Sequence, residues 1–426
     1  MRRGLSQSEL PGQASACAEL QLRLLERAQF VRIAEEVGTP CFVYSKAGIL
    51  GRYREYADAL DGCAHTICYA VKANSNLGVL RVLAEAGAGF DIVSGGELFR
   101  VLRAGGDPAK TVFSGVGKTA GEIDFALRNA IFSFNSESEA ELQLIDEVAA
   151  HVGAKPRVAL RVNPDVDAST HPYISTGLSQ HKFGIDIHEA ENVYERAMKL
   201  PNIALESVSC HIGSQILEPA SIHEAITKML ALVGRLRTRG LAITHLDLGG
   251  GLGVAYQPGE EAPSIRSFVA KMREATAGLG LHLMIEPGRS IVAEAGTLLT
   301  RVLARKRNGD KEFVIVDAAM NDLIRPALYQ AFHEIVPVAN TDRPRFVADI
   351  VGPVCESGDF FARDRELPTV EPGELVEIRA AGAYAFAMSS NYNSRPRAAE
   401  VLCHGDTYKV VRRRETYEDL IQGEST

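Results

Sequence analysis

Ile67-Cys68-Tyr69-Ala70-Val71-Lys72 is an apolar run that closes on a lysine, the first of eight such runs along the chain. The later ones end at Asp91, Ser114, Asn135, Arg161, His211, Asp247 with Gly249-Gly250-Gly251, and Glu286. Most intervals between them carry amphipathic stretches, such as 78–86, 97–104 and 136–150. Short apolar runs alternating with helical patterns imply βαβ units and a parallel sheet. The expected fold is therefore α/β, a (β/α)8 TIM-like barrel, in which residues at the C-terminal ends of the strands face the active site. The polar residues that end the runs nominate one rim for chemistry.

Bulk composition narrows the function classes. The 426 residues are 46% hydrophobic and 23% charged, with a net charge of −8, which gives no electrostatic case for nucleic acid or an anionic membrane surface as partner. Arg305-Lys306-Arg307 and Arg412-Arg413-Arg414 are short and not interleaved with aromatics, so they read as solvated faces. The seven cysteines, at 17, 41, 63, 68, 210, 355 and 403, include no CxxC pair, and several lie inside apolar runs. That usage fits a reducing cytoplasm better than a disulfide framework or a zinc site, so no metal is expected. Arg2 and Arg3 are not followed by the apolar core of a secretory signal, and no run approaches the roughly 20 apolar residues of a membrane span. A soluble, cytoplasmic protein is expected.

Residues 1–17 are rich in Ser, Gly, Gln and Pro and read as a disordered tail. Residues 18–37 read as one helix and 40–44 as a strand, the barrel as 46–296, and 297–426 as a second domain. In that last part short strand-like runs at 312–317, 346–351, 375–378 and 399–402 are separated by turn residues, an all-β pattern of the sandwich or barrel kind. The strand at 40–44 is expected to join it, so that 18–45 belongs with the β-domain. The longest departure from barrel alternation is 163–184, a loop after the fifth strand long enough to be functional or mobile.

Glycines and charges on the rim point to an anion. Leu246-Asp247-Leu248-Gly249-Gly250-Gly251-Leu252-Gly253 follows the seventh run, and Ile285-Glu286-Pro287-Gly288-Arg289 follows the eighth. Barrels often bind phosphate in the loops after these two strands, and glycines let backbone N–H groups converge on an anion. Arg289 adds a positive fork. A dinucleotide fingerprint is the competing reading, but the spacing is wrong and no helix follows directly; a bland turn is the other. Lys72 taken alone is best read as a lysine reaching out to solvent. Beside a phosphate site, a histidine and several carboxylates, a partly desolvated lysine is expected to have a lowered pKa and to act as an amine nucleophile. A phosphate-bearing aldehyde unites these features, and pyridoxal 5'-phosphate is the common one. Its ring nitrogen needs an acidic partner, for which Glu286 is placed, while His211 is the candidate to stack on the ring or else a satisfied core histidine.

Tyr69-Ala70-Val71-Lys72-Ala73-Asn74, His211-Ile212-Gly213-Ser214-Gln215, the triple glycine and Glu286-Pro287-Gly288-Arg289 together resemble the alanine-racemase-fold group of pyridoxal-phosphate decarboxylases. Within that group they are similar to the diaminopimelate decarboxylases, from about residue 38 to about 420. The resemblance implies that Lys72 holds the cofactor as a Schiff base, that His211 stacks on its ring and that Glu286 meets the pyridine nitrogen. It implies Ser214, Gly249, Gly250, Gly251, Pro287, Gly288, Arg289 and Tyr384 around the cofactor, most of them at its phosphate. Gly352-Pro353-Val354-Cys355-Glu356-Ser357-Gly358-Asp359 resembles the motif that reaches into a partner subunit's barrel, with Cys355 as proton donor and Glu356 on the substrate's far amino group. A homodimer with shared active sites is thereby implied. A buried apolar cysteine is the plainer reading of Cys355. Asn321-Asp322-Leu323-Ile324-Arg325-Pro326-Ala327-Leu328-Tyr329 resembles the segment that sets an arginine and a tyrosine on a distal carboxylate; two surface arginines are the alternative to Arg289 and Arg325 as substrate ligands.

The implied activity is decarboxylation of meso-2,6-diaminopimelate, a small amino-acid substrate, to L-lysine and carbon dioxide. Alternatives are decarboxylation of ornithine, arginine or a carboxylated polyamine, a non-catalytic regulator, or a lone-barrel cofactor carrier. The last two sit poorly with Lys72, Cys355 and the second domain all being present. The chain departs from the resemblance in its helical N-terminal segment and at Tyr173, where a lysine is frequent.

Overall fold

The computed structural model describes residues 29–166, 182–339 and 341–425. The expected tail over 1–17, the first part of the helix over 18–37, and most of the 163–184 loop with Tyr173 lie outside these; residues 29–36 are helical.

The first described strand, β1 (Cys41–Ser45), stands apart from the barrel. The barrel strands are β2 (His65–Ala70), β3 (Gly89–Ile92), β4 (Thr111–Phe113), β5 (Ser133–Ser136) and β6 (Arg157–Asn163), followed, after the two-residue β7 (Ile185–Asp186) beside β6, by β8 (Ala204–Ser209), β9 (His245–Asp247) and β10 (His282–Ile285). All neighbouring pairs are parallel, and β10 pairs with β2 to close the ring.

Alternation along each strand explains both the apolar runs and the polar residues that end them. Ile67, Tyr69, Phe90, Ile92, Phe134 and Leu160 share a buried cluster with the apolar faces of the surrounding helices. The alternate positions face the barrel axis and form layers. Cys68, Val112 and Met284 make a small apolar layer of their own. Toward the C-terminal ends the layer is polar, and Asn135 of β5 reaches Asp247 of β9 across the barrel at 2.9 Å. Strands buried on both faces read as continuous apolar stretches, broken where this polar layer begins. Ser94, Thr119 and Ser138 then cap the next helices, each side chain accepting a backbone N–H from Glu97, Glu122 and Glu141 respectively.

The opposite end of the barrel is plugged by rings. His245 and His282 lie 5.1 Å apart, His282 Nε2 is 2.8 Å from Thr66 Oγ1, and Phe132 meets His245 edge-on at 5.3 Å under the Arg157 guanidinium. Burial, Arg157 and His282 push His245 down to about 4, with Glu206 opposing. The folded pKa lies below the unfolded one, so this histidine's contribution is complete above about pH 6.5 and is lost as pH falls toward 4. The buried acids Glu286 and Asp247 are shifted upward and act in the opposite sense, so the histidine is isolated by difference. A His245→Gln variant is expected to lose less melting temperature than the parent between pH 7 and pH 5; equal losses would remove His245 from the acid response.

The second unit is one nine-stranded mixed sheet. It contains β11 (Gly296–Asn308), β12 (Lys311–Val316), β13 (Ile335–Pro337), β14 (Arg345–Val351), β15 (Phe360–Pro368), β16 (Leu375–Ile378), β17 (Ala399–His404) and β18 (Thr407–Arg412). β1 inserts between β11, antiparallel, and β17, parallel. The first half of β11 pairs with β1 and β16 and its second half with β12, with a register shift between Val302 and Ala304. A bulge of this kind lets one strand serve two sheet halves. Segment 381–384 crosses from the sheet to the barrel edge, where a Cβ on Gly382 would lie 1.8 Å from Val292 O. Only glycine permits that approach, and it delivers Tyr384 to the rim.

Candidate active site

β2 ends at Ala70, and Lys72 lies in a single 3₁₀ turn, Val71–Ala73. Three hydrogen bonds fix that turn. Ala70 N–H donates to Pro287 O at 3.0 Å, Tyr384 N–H to Ala73 O at 2.8 Å, and the Asn74 side-chain amide to Gly382 O at 3.1 Å. The strand ends of β2 and β10 and the 381–384 crossing thus converge on the lysine. Lys72 Nζ donates to Asp91 Oδ2 at 2.6 Å. The β2–β3 register, with Ala70 opposite Asp91, sets that contact. Asp91 is fully buried while the lysine side chain is 35% exposed. Burial works against the ammonium, but Asp91, Glu286 and Tyr384 outweigh it and hold Lys72 above its ordinary pKa. The expectation of a lowered lysine pKa is thereby corrected: the protein's own carboxylates keep it charged.

Beneath the lysine lies a carboxyl layer. Asn135 Nδ2 is 2.9 Å from Asp247 Oδ2, 3.3 Å from Glu286 Oε1 and 3.1 Å from Ser114 Oγ, and Ser114 Oγ is 3.3 Å from Glu286 Oε1. Burial and the neighbouring Asp247 and Asp91 push Glu286 well up, against the pull of Lys72; burial also raises Asp247. The two acids are hydrogen-bonded, so one proton shared between them relieves the repulsion. A carboxyl group able to give or accept a proton therefore lines the floor.

His211 follows β8 and accepts from Gly250 N–H through Nδ1 at 3.2 Å. Burial, Arg161 and Lys72 hold it well below the usual histidine range, so it is neutral. The three glycines are demanded by packing. A Cβ would lie 2.6 Å from Cys210 O at Gly249, 2.1 Å from Glu286 O at Gly250 and 2.5 Å from Gly213 O at Gly251. The Gly249 N–H is given to Asp247 Oδ1 at 2.9 Å and the Gly250 N–H to His211, so two of the three amides bind protein groups.

Arg289 opens the short helix Arg289–Val292, beyond Pro287 and Gly288. Its guanidinium donates to Ser214 Oγ at 3.2 Å and to Tyr256 Oη at 2.6 Å, and lies 4.8 Å from the Tyr384 ring centre. Tyr384 itself holds φ +54°, a strained value for a non-glycine residue. Arg325 heads the helix Arg325–Tyr329, which puts Tyr329 one turn on; its guanidinium sits 4.5 Å from the Tyr256 ring centre and 2.8 Å from His333 Nε2. Arg289 and Arg325 are both buried, and neither pairs with a carboxylate among the described residues. Arg289 Nε has no hydrogen-bond partner among the described residues. Two buried, uncompensated cations call for anionic ligands.

Cys355 and Glu356 are not brought to this rim. Their loop is organised by Asp359, whose carboxylate accepts from Met320 N–H and Val354 N–H, each at 2.7 Å. Cys355 is exposed, its N–H on Asn393 Oδ1 at 3.3 Å, and Glu356 accepts from Tyr392 Oη at 3.2 Å. Among the described residues their partners all lie in the second unit.

Sequence reasoning reaches Lys72, His211, Glu286 and Arg289 because strand ends and motifs mark them. Asp91, Ser114, Asn135 and Asp247 are marked as run endings without a role. Tyr256 and His333 carry no local signal; only the fold shows them against the two arginines. Together these groups fit pyridoxal phosphate: an amine on a partly exposed side chain for its aldehyde, a buried guanidinium beside Ser214 whose Nε is unpartnered among the described residues for its phosphate, and a proton-bearing carboxyl pair for its ring nitrogen.

Residues 46–293 match the family of the pyridoxal-dependent decarboxylase pyridoxal binding domain. The chain is 57% identical over 394 residues to the diaminopimelate decarboxylase of Pseudomonas aeruginosa, covering 92% of this chain and 94% of the relative. The crystal structure of diaminopimelate decarboxylase from Helicobacter pylori, complexed with L-lysine, is 43% identical and superposes with a TM-score of 0.89 over 92% of this chain and 98% of that one. A lysine/ornithine decarboxylase from Vibrio vulnificus complexed with putrescine is 25% identical, with a TM-score of 0.79 over 89% and 98%. On this fold, this site and this identity, the chain belongs to the pyridoxal-dependent decarboxylases and, among them, to the diaminopimelate decarboxylase family.

Proposed function

We propose that the protein decarboxylates the D-configured centre of meso-2,6-diaminopimelate, giving L-lysine and carbon dioxide, the last step of lysine biosynthesis. The observation that carries the choice of substrate is the pair Arg289 and Arg325, buried without a protein carboxylate. A substrate with a cationic tail, such as ornithine or arginine, would leave Arg325 uncompensated at a cost of several kcal/mol. A substrate whose far end is itself an amino acid supplies a carboxylate for Arg325 and Tyr329 and an ammonium for Glu356.

Bound pyridoxal phosphate supplies an aldehyde that captures an amine and a ring that takes up the charge left when carbon dioxide departs. Lys72 would hold the cofactor covalently, and Asp91, 2.6 Å away, fixes the position of Lys72 Nζ. Neutral His211 offers a flat face to the ring without adding a competing cation. Glu286, backed by Asp247, holds a proton at the floor where the ring nitrogen would rest. Ser214, Gly249, Gly250, Gly251, Gly288, Arg289 and Tyr384 would surround the phosphate. Cys355 of the partner subunit returns a proton to the carbon that lost its carboxylate, and Glu356 of the partner subunit meets the substrate's far amine. A homodimer is supported by the exposure of that loop and by its contacts, which among the described residues lie in the second unit. A cytoplasmic setting is supported by the six described cysteines, all free thiols; among the described residues no helix is long and apolar enough to cross a membrane.

Product inhibition tests the distal-carboxylate assignment. L-Lysine keeps the far carboxylate and cadaverine lacks it. L-Lysine is expected to inhibit at least about tenfold more tightly, the worth of one charge-assisted hydrogen bond. Equal inhibition would move the polyamine-type decarboxylases to the front.

A further inference from the structure

We infer that His333 is a specificity-determining positioning residue: it orients Arg325 as a neutral hydrogen-bond acceptor and so leaves the full guanidinium charge for the substrate's distal carboxylate. The inference rests on the assignment of Arg325 proposed above.

His333 lies eight residues beyond Arg325, between the helix Arg325–Tyr329 and β13, and is completely buried. Nδ1 is 2.8 Å from the Arg379 carbonyl oxygen, which can only accept, so Nδ1 carries the hydrogen. Nε2 is 2.8 Å from Arg325 Nη1, which can only donate, so Nε2 presents its lone pair. These two contacts fix one tautomer and one charge state. Burial, joined by Arg325 and the nearby Arg289 and Arg365, opposes a second proton and, against the hydrogen bond to the Arg379 carbonyl, pushes His333 down to about 3. Tyr256 meets the imidazole edge-on at 5.4 Å, and its ring also carries the Arg325 guanidinium at 4.5 Å. The arginine is thus held by an imidazole and an aromatic face, neither of which carries a charge.

A carboxylate in place of His333 would orient Arg325 equally well but would cancel its charge before substrate arrived. A side chain without an acceptor would leave the charge but release the geometry. A buried guanidinium loses little orientation entropy when its planar fork is already held, so the imidazole gives both pre-organisation and charge. Arg289, by contrast, is held by two hydroxyls, Ser214 Oγ and Tyr256 Oη, which follows the same rule of neutral acceptors around a working cation.

The test compares L-lysine and cadaverine as inhibitors of the holoenzyme, with meso-diaminopimelate as substrate. His333→Phe is expected to weaken L-lysine about tenfold to hundredfold and to leave cadaverine within about twofold. KM for diaminopimelate should rise in parallel while kcat at saturation holds, the mark of lost ground-state binding. His333→Gln, which keeps a donor for Arg379 O and an acceptor for Arg325, should stay near the parent. His333→Glu keeps the acceptor but adds a negative charge, and should abolish the preference for L-lysine. If His333→Phe does not fold, the Gln and Glu variants still decide. Equal weakening of both inhibitors, or a retained lysine preference in His333→Glu, would overturn the inference. Arg325→Gln is the control for the underlying assignment. If it keeps the lysine preference, the distal-carboxylate reading falls and this inference with it. If it loses the preference while the His333 variants keep it, only the role of His333 falls.

Discussion

Lys72→Ala is expected to abolish turnover, by about 10³-fold or more, and to remove the visible absorbance of the cofactor-loaded protein. The size follows from position. An amine fixed on the barrel rim has an effective concentration of about 10⁵ M or more relative to a free one, so added methylamine should restore little. The electrostatics give a second consequence. Asp91 is fully buried and Lys72 is its only cation at hydrogen-bond distance among the described residues. Removing the lysine leaves a buried carboxylate unpaired, which destabilises the fold. Lys72→Ala combined with Asp91→Asn should therefore regain melting temperature and regain no activity. A double variant that recovered turnover would assign Lys72 a merely structural charge.

Cys355→Ala is expected to lower kcat by about 10²–10⁴-fold, the usual range for loss of a positioned general acid, with little change in cofactor binding. Cys355 sits on an exposed loop whose contacts among the described residues lie in the second unit, so the proposed role requires a second copy of the chain. Equal amounts of the Lys72→Ala and Cys355→Ala proteins, dissociated and reassociated together, should recover about a quarter of parental activity: half of the symmetric dimers are mixed and each has one intact site. No recovery, with mixed dimers shown to form, would confine Cys355 to its own subunit or remove it from the chemistry.

Much of this site is legible in the sequence for physical reasons. Barrel strands are buried on both faces, so Ile67–Val71 and its counterparts stand out as apolar runs, and the inward polar layer begins where each run stops. The second unit is less legible. β12, β14, β16 and β17 appear as short apolar runs, whereas the end of β11, the middle of β15 and all of β18 are exposed or half-buried and carry Arg305, Lys306 and Arg307, Arg363 and Arg365, or Lys409 and Arg412, which break the apolar signal. The charge of Lys72 depends on the β2–β3 register that sets Asp91 beside it, a quantity no local pattern holds. The role of Asp247 emerges only across the barrel, through Asn135. Tyr256 and His333 sit in irregular segments, and they gain meaning only from the arginines the fold places against them.

The most direct test of the central claim is carbon dioxide release by the pyridoxal-phosphate-loaded protein from meso-diaminopimelate, with ornithine and arginine in parallel. Release from diaminopimelate, with equimolar L-lysine and little or none from the other two, is the predicted result. Release from ornithine or arginine at comparable kcat/KM would contradict the assignment of Arg325 to a distal carboxylate, and absence of release from all three would contradict the decarboxylase itself.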